Sequence, residues 1–277
     1  MVLHNLKKGG LLTRTASAVV LAPLAIGALL LGSPFLELVI FAVAFLSAWE
    51  WSGLLWASAL GRTAPGRNAY AMVSVVTLTV LAGVLGYYSQ AVWVLALGIV
   101  IQMSLAANKE KDRERCRWYL LGSVYISLSC LAIDWLRGLP EIGMGKVIWL
   151  FAIVWATDIG AYFVGKTIGG PKVLPIISPN KTWAGLFGGM FFAAIFSYVI
   201  GRYFELPSGN LELLVIGMLL AIIAQAGDFF ESYLKRKSDK KDSGRLIPGH
   251  GGILDRIDGL MAVSIVVAAL QISEQLP

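Results

Sequence analysis

The chain of 277 residues is 57% hydrophobic and only 14% charged, with a mean hydropathy of +0.73. Soluble domains carry about 25% charged residues, so this composition excludes an ordinary soluble protein and indicates an integral membrane protein. The formal net charge of +6 arises from basic residues between the apolar segments. It therefore indicates membrane sidedness and no nucleic-acid partner.

Long apolar segments predict transmembrane helices along the whole chain. A helix crosses a bilayer with about 20 mostly apolar residues, whereas barrel strands alternate over about 10 residues. The fold class predicted is an all-α polytopic membrane protein of about nine transmembrane helices with a polar site on the cytoplasmic side. The helices are expected near 16–33, 36–59, 69–87, 90–107, 117–136, 147–165, 182–201, 211–231 and 256–273. The first segment is interpreted as a retained span rather than a cleaved signal.

Domain organisation follows from the even distribution of these segments. No soluble domain, internal repeat or low-complexity linker is evident, so residues 1–277 are predicted to form a single membrane domain. Residues 1–146, with helices 1 to 5, are expected to be mainly scaffold. Residues 147–277, with helices 6 to 9 and their cytoplasmic loops, are expected to carry the chemistry.

Basic residues gather on one side of the predicted helices. The 23 basic residues lie in the N-terminal segment or after an even-numbered helix, except for Arg137, Lys146 and Arg202. The positive-inside rule therefore places the N-terminus and the loops 166–181 and 232–256 in the cytoplasm.

Two features of the first half are interpreted structurally. Glu50 lies within the apolar part of helix 2, where a carboxylate is costly and functional by default. A structural partnership with a basic residue is preferred here over a direct catalytic role. Cys116 and Cys130 have no metal-ligand spacing and are interpreted as packing thiols.

The first polar cluster lies on helix 6. Asp158 is expected about 10 Å inside the membrane, at 1.5 Å per residue from the helix end, with Tyr162 one turn further on the same face. We interpret Asp158 as lining a wet cavity. The alternative is a buried aspartate satisfied by a neighbouring side chain.

The second cluster is the glycine- and lysine-containing loop before helix 7. Thr182 or Ser178 is predicted to cap that helix, whose N-terminal amides favour an anion, and Lys181 adds a positive charge there. Gly185 and Gly189 have the GxxxG spacing typical of close helix packing.

The third cluster contains two pairs of carboxylates. Asp228 and Glu231 end helix 8, and Asp255 and Asp258 open helix 9, each pair sharing a helix face at i, i+3. Basic residues and glycines lie between and around the pairs, namely Lys235, Arg236, Lys241, Arg245, Arg256 and the segment 249–252. Oxygen ligands without a Cys or His pair favour Mg²⁺ over zinc. The alternative is a juxtamembrane basic loop with internal salt bridges.

The same segment carries a family resemblance. It resembles the signature of the phosphatidate cytidylyltransferases at Ser232, Leu234-Lys235-Arg236, Lys241-Asp242, Gly244, Ile247-Pro248, His250-Gly251-Gly252-Ile253 and Asp255-Arg256-Ile257-Asp258. Two upstream stretches are similar to that family's other recurring segments. They contain Trp155, Asp158 and Ala161-Tyr162, and Ser178-Pro179, Lys181-Thr182-Trp183 and Gly185. Asn180 and Ala184 depart from the pattern of that family.

The resemblance implies a polytopic inner-membrane enzyme that converts CTP and phosphatidate to CDP-diacylglycerol and pyrophosphate. It implies Mg²⁺ held by Asp228, Asp255 and Asp258, and leaves open a second, monovalent cation such as K⁺. The predicted catalytic residues are Asp228, Asp255, Asp258, Lys241 and His250. The predicted substrate-binding residues are Asp158, Ser178, Lys181, Lys235, Arg236 and Arg256. Expected partners are CTP, phosphatidate and the lipid bilayer, with a homodimer left open.

Two other functions are kept as alternatives. A cation-coupled transporter would use Asp158, Asp228 and Asp258 as an ion path. However, these carboxylates gather on one side, and apart from Glu212 at the very start of helix 8 no charged residue marks the outer halves of helices 6, 8 and 9. A CDP-alcohol phosphotransferase-like enzyme would also use a carboxylate-lined metal site, but its aspartate-glycine pattern with a following Ala-Arg is missing after Asp258-Gly259.

Overall fold

The computed structural model describes residues 23–57, 66–105, 110–244, 246 and 251–275, without the side chains of 56–57, 110–113 and 274–275. The described part of α1 is the helical stretch 23–31. The other helices are α2 (Phe35–Ala57), α3 (Arg67–Val84), α4 (Tyr88–Leu105), α5 (Glu110–Arg137), α6 (Gly143–Thr167), α7 (Trp183–Tyr203), α8 (Asn210–Lys237) and α9 (Leu254–Gln275).

The helices have the length and hydropathy of membrane spans. Within the described residues, 8 helices, α2 to α9, are long and apolar enough to cross a bilayer. The predicted all-α polytopic fold is therefore confirmed. The predicted first span, 16–33, is helical over 23–31, and its beginning lies outside the described residues.

Some helix ends differ from the prediction. The segment 232–237, assigned to a loop from its charge, continues α8, and α5 begins at Glu110 rather than near residue 117. Lys, Arg and Glu are good helix formers. The i, i+4 pair between Glu231 and Lys235, at 2.7 Å, further favours helix there. Charge density therefore did not mark the end of the helix.

The chain forms two compact units, the first of which comprises residues 1–131 and 237–256. Large apolar side chains such as Trp51, Leu54 and Met72 are fully buried in it. The Trp51 indole Nε1 donates to the Trp118 carbonyl at 3.0 Å. A buried polar pair also lies inside the unit, where Gln102 Nε2 donates to Ser123 Oγ at 3.0 Å.

The second unit comprises residues 132–236 and 257–277. In it α6 and α7 pack closely because glycines remove side-chain bulk from the contact. A Cβ atom on Gly185 would lie 2.8 Å from the Ala161 carbonyl oxygen, and one on Gly189 would lie 2.9 Å from that of Thr157. This confirms the packing role predicted for the GxxxG pair. The division into scaffold and catalytic halves stays a prediction.

Candidate active site

A polar cavity of about 510 Å³ opens within the second unit. Its walls come from α6, the connection after α6, the start of α7 and the inner part of α8. The lining residues are Asp158, Ala161, Tyr162, Gly165, Lys166, Lys172, Asn180, Lys181, Thr182, Gly185, Leu186, Gln225 and Asp228. Asp158 and Tyr162 therefore line a cavity together, as their one-turn spacing predicted.

Two of the lining residues form an ion pair. Lys181 Nζ lies 2.5 Å from Asp228 Oδ2, and both side chains are partly exposed to the cavity. The ammonium group of Lys181 also lies 4.5 Å from the centre of the Phe229 ring, where a cation is attracted to the ring face. The sequence predicted Lys181 as a substrate contact and Asp228 as a metal ligand, and the structure places them side by side.

Asp258, one turn into α9, belongs to the same group of charges. It interacts electrostatically with Asp228, Asp158 and Lys181. Its Oδ1 atom accepts a hydrogen bond from the Gly259 amide at 2.8 Å. Three carboxylates and one ammonium thus share a small region of the second unit, which makes the region favourable for a cation.

The start of α7 is capped as the sequence indicated. Thr182 is the N-cap residue and its hydroxyl accepts a hydrogen bond from the Gly185 amide at 3.1 Å. Thr182 is also held by the isolated β-bridge to Lys172. The cap and bridge keep the lysine-bearing connection against the positive end of the α7 dipole, a suitable place for anions.

A second polar cluster lies in the first unit around Asp255 and Glu50. Asp255 Oδ2 accepts hydrogen bonds from the Ser243 amide at 2.9 Å, the Ser243 hydroxyl at 2.9 Å and the Gly252 amide at 2.8 Å. The Ser243 hydroxyl also contacts Glu50 Oε2 at 3.0 Å. Asp255, predicted as a metal ligand, therefore organises the segment that precedes α9, and its metal role stays a prediction.

Glu50 corrects one expectation from the sequence. Its carboxylate is buried and accepts hydrogen bonds from the Ile253 and Leu254 amides, each at 3.0 Å. The described donors are thus backbone amides and a hydroxyl, not the basic side chain that was expected. Exposed amides at the start of a helix carry partial positive charge and can replace a cationic partner.

The remaining predicted residues lie in varied surroundings. Lys235 is buried and paired with Glu231 at 2.7 Å, and the exposed Arg236 donates from Nε to the Ile177 carbonyl at 3.3 Å. Ser178 is half-buried and donates its amide to the Leu174 carbonyl at 2.9 Å. Lys241 and Arg256 are exposed. His250 and Arg245 lie outside the described residues.

The donor set suits a hard cation shared with substrate. Among the described residues, no group of three or more His, Cys, Asp or Glu could hold a metal ion alone. Mg²⁺, however, commonly binds one or two carboxylates and takes its other ligands from substrate phosphates and water. Asp228 and Asp258 fit that pattern.

Sequence reasoning missed two residues that the structure makes prominent. Gln225 lines the cavity, and Ser243 joins Glu50 to Asp255. Gln225 was detectable from the sequence as an amide in an apolar stretch. It precedes Asp228 by three residues and therefore shares a helix face with Asp228. The pairing of Ser243 with Glu50 joins residues distant in the chain and left no local signal.

Known proteins resemble this chain over most of its length. Residues 12–273 match the profile described as the cytidylyltransferase family. The phosphatidate cytidylyltransferase of Brucella suis biovar 1 (strain 1330) is 36% identical over 258 residues, which cover 92% of this chain and 91% of that protein. The phosphatidate cytidylyltransferase of Pseudomonas aeruginosa is 37% identical over 266 residues, which cover 93% of this chain and 95% of that protein. That of Bacillus subtilis (strain 168) is 41% identical over 143 residues, or 52% and 53% of the two chains.

The chain belongs to the cytidylyltransferase family. Its resemblance to the phosphatidate cytidylyltransferases, first drawn from the motifs around Asp158, Lys181 and Asp258, is confirmed by these relatives.

Proposed function

We propose that the chain transfers the cytidylyl group of CTP to phosphatidate and so forms CDP-diacylglycerol and pyrophosphate. The observation that carries this proposal is the Lys181–Asp228 pair inside a polar cavity between membrane helices. The protein is accordingly a nucleotidyltransferase of phospholipid biosynthesis. This assignment replaces the transporter and CDP-alcohol phosphotransferase alternatives.

The lysines of the cavity bring two anionic reactants together. Lys166, Lys172 and Lys181 line the cavity near the end of α6 and the start of α7. Their charges would offset the repulsion between the triphosphate of CTP and the phosphate of the lipid, and orient both groups for reaction. Lys181 can exchange its contact with Asp228 for a contact with a phosphate oxygen without leaving the cavity.

The reaction requires no strong base. An ionised oxygen of the phosphatidate phosphate attacks the α-phosphorus of CTP, a new P–O bond forms, and the bond to the pyrophosphate oxygen breaks. Because the second pKa of a phosphate monoester is about 6, the nucleophile is already ionised at neutral pH. The chain therefore contributes alignment and charge stabilisation, with no covalent enzyme intermediate.

Asp228 and Asp258 would hold Mg²⁺ in this proposal, with Asp158 in electrostatic reach. The ion would neutralise the triphosphate and stabilise the leaving pyrophosphate. A monovalent cation such as K⁺ and the metal role of Asp255 belong to the same proposal. Asp228 also holds Lys181 in place through their ion pair.

The location proposed is the cytoplasmic membrane with the cavity opening toward the cytoplasm. The 8 candidate spans in the described residues support a membrane-embedded protein, and the basic loops support the orientation. CTP would then arrive from the cytosol while phosphatidate arrives within the bilayer. A homodimer is compatible with this arrangement.

The proposal is tested with the purified protein in detergent, phosphatidate, Mg²⁺ and one labelled nucleoside triphosphate at a time. We expect lipid-extractable label from CTP or dCTP and none when phosphatidate is omitted. Equal labelling from ATP would contradict the cytidylyl assignment. Uptake of cations into vesicles without nucleotide turnover would instead support a transporter.

A further inference from the structure

Gln225 has a position that the proposed chemistry does not use. The residue is more than nine-tenths buried, with a relative exposure of 6%, and it lines the cavity. No hydrogen bond joins its amide to another residue in the described part of the chain. An amide without a protein partner that faces a substrate cavity is placed to receive a ligand.

The depth of Gln225 indicates which part of a ligand it meets. It precedes Asp228 by three residues on α8, so it lies about 4.5 Å nearer the middle of that helix at 1.5 Å per residue. The phosphate-binding lysines lie toward the other end of the cavity, where α6 ends and α7 begins. The lysines thus lie toward the outer end of the cavity, whereas the Gln225 amide lies deeper, in the part that Asp158 also lines.

Phosphatidate has the same order of groups. Its phosphate lies outermost in a bilayer, and its two ester carbonyls lie a few bonds deeper, next to the acyl chains. We propose that the Gln225 amide donates a hydrogen bond to an ester carbonyl of phosphatidate and so selects diacyl lipid. The proposal rests on the proposed function and assigns one specificity-determining residue to it.

The nucleotide is the less suitable partner for this amide. CTP is water-soluble and, in the proposed orientation, would enter from the end of the cavity lined by Lys166, Lys172 and Asn180. Its base would have to pass the Lys181–Asp228 pair to reach Gln225. The lipid ester reaches the inner end while the lipid phosphate stays beside the lysines.

The test compares ester-linked phosphatidate with its diether analogue, which keeps the phosphate and chains but lacks the carbonyls. We expect the wild-type kcat/KM to favour the diester at least about fivefold, because an unpaired buried amide is costly. In Gln225→Met the side chain keeps its length and loses the amide. We expect this preference to fall to near unity, through a higher KM for the diester, with the KM for CTP unchanged.

A matched control is Gln102→Met, which removes a buried amide that already has a protein partner, Ser123, at 3.0 Å. It should retain the diester preference. Wild-type protein that uses both lipids equally would overturn the inference without any variant. So would Gln225→Met protein with an unchanged preference, or with a raised KM for CTP alone. Wild-type protein that makes no lipid-linked product from CTP would instead overturn the proposed function.

Discussion

The carboxylate of Glu50, on α2, accepts a hydrogen bond from the backbone amide of Leu254, the first residue of α9, at 3.0 Å. Its other oxygen accepts from the Ile253 amide at 3.0 Å. Two amides that would be unsatisfied at the start of a helix are therefore satisfied by one buried carboxylate. This pairing holds the segment before α9 against α2 within the first unit.

Glu50→Gln should lower the stability of the protein. The amide group of Gln would place a donor opposite a backbone or hydroxyl donor, and a buried group without its partner costs about 1–3 kcal/mol. Thermal unfolding in detergent measures the effect. Glu114→Gln is the control, because Glu114 is 68% exposed in its pair with Lys237 and such pairs contribute little. Equal unfolding temperatures for the two variants would contradict the structural role of Glu50.

Lys181→Met should reduce kcat/KM by about 100-fold or more, which corresponds to about 2.7 kcal/mol in barrier terms. The change removes a cation from the cavity and leaves Asp228 without its partner at 2.5 Å. Lys237→Met, which removes a lysine paired at the surface with Glu114, should remain close to wild type.

The double variant Lys181→Met with Asp228→Asn gives an independent check that these two residues act together. Residues that act together are non-additive in catalysis, so the double variant should lose little more activity than the worse single variant. Multiplicative losses in kcat/KM would show that the two residues act separately.

Asp255→Asn distinguishes a metal ligand from a loop organiser. If Asp255 is a metal ligand, the substitution should lower activity at least about 100-fold and raise the Mg²⁺ concentration that the variant requires. As an acceptor of three hydrogen bonds from Ser243 and Gly252, it would give lower thermal stability and an unchanged Mg²⁺ requirement. Activity against Mg²⁺ concentration and unfolding temperature are measured on the same preparations. Near-wild-type values in both would contradict both roles.

The predicted orientation is tested at the two ends of α8. Single cysteines at Asn210 and Leu246, both exposed, are introduced after replacement of the buried Cys116 and Cys130. A membrane-impermeant reagent added outside intact cells should label position 210 and spare position 246, because the basic residues follow α8. Labelling of position 246 from outside would reverse the orientation.

Local patterns determined most of the helices. Apolar length predicted the spans, since the bilayer requires a fixed helix length, and the glycine spacing predicted the close approach at Gly185 and Gly189. The family motifs placed Asp158, Lys181 and Asp228 in one functional set, and these three residues line one cavity. The span lengths and the glycine spacing depend on residues near one another in the chain, so a sequence displays them directly.

Tertiary structure alone decided the partners of the buried polar groups. Glu50 binds Ile253 and Leu254, about 200 residues further along the chain, and the paired Lys181 and Asp228 come from different elements. The cost of an unsatisfied buried polar group favours a partner for it, but it does not specify which one. Packing brings particular groups together, and it also leaves the Gln225 amide facing a cavity.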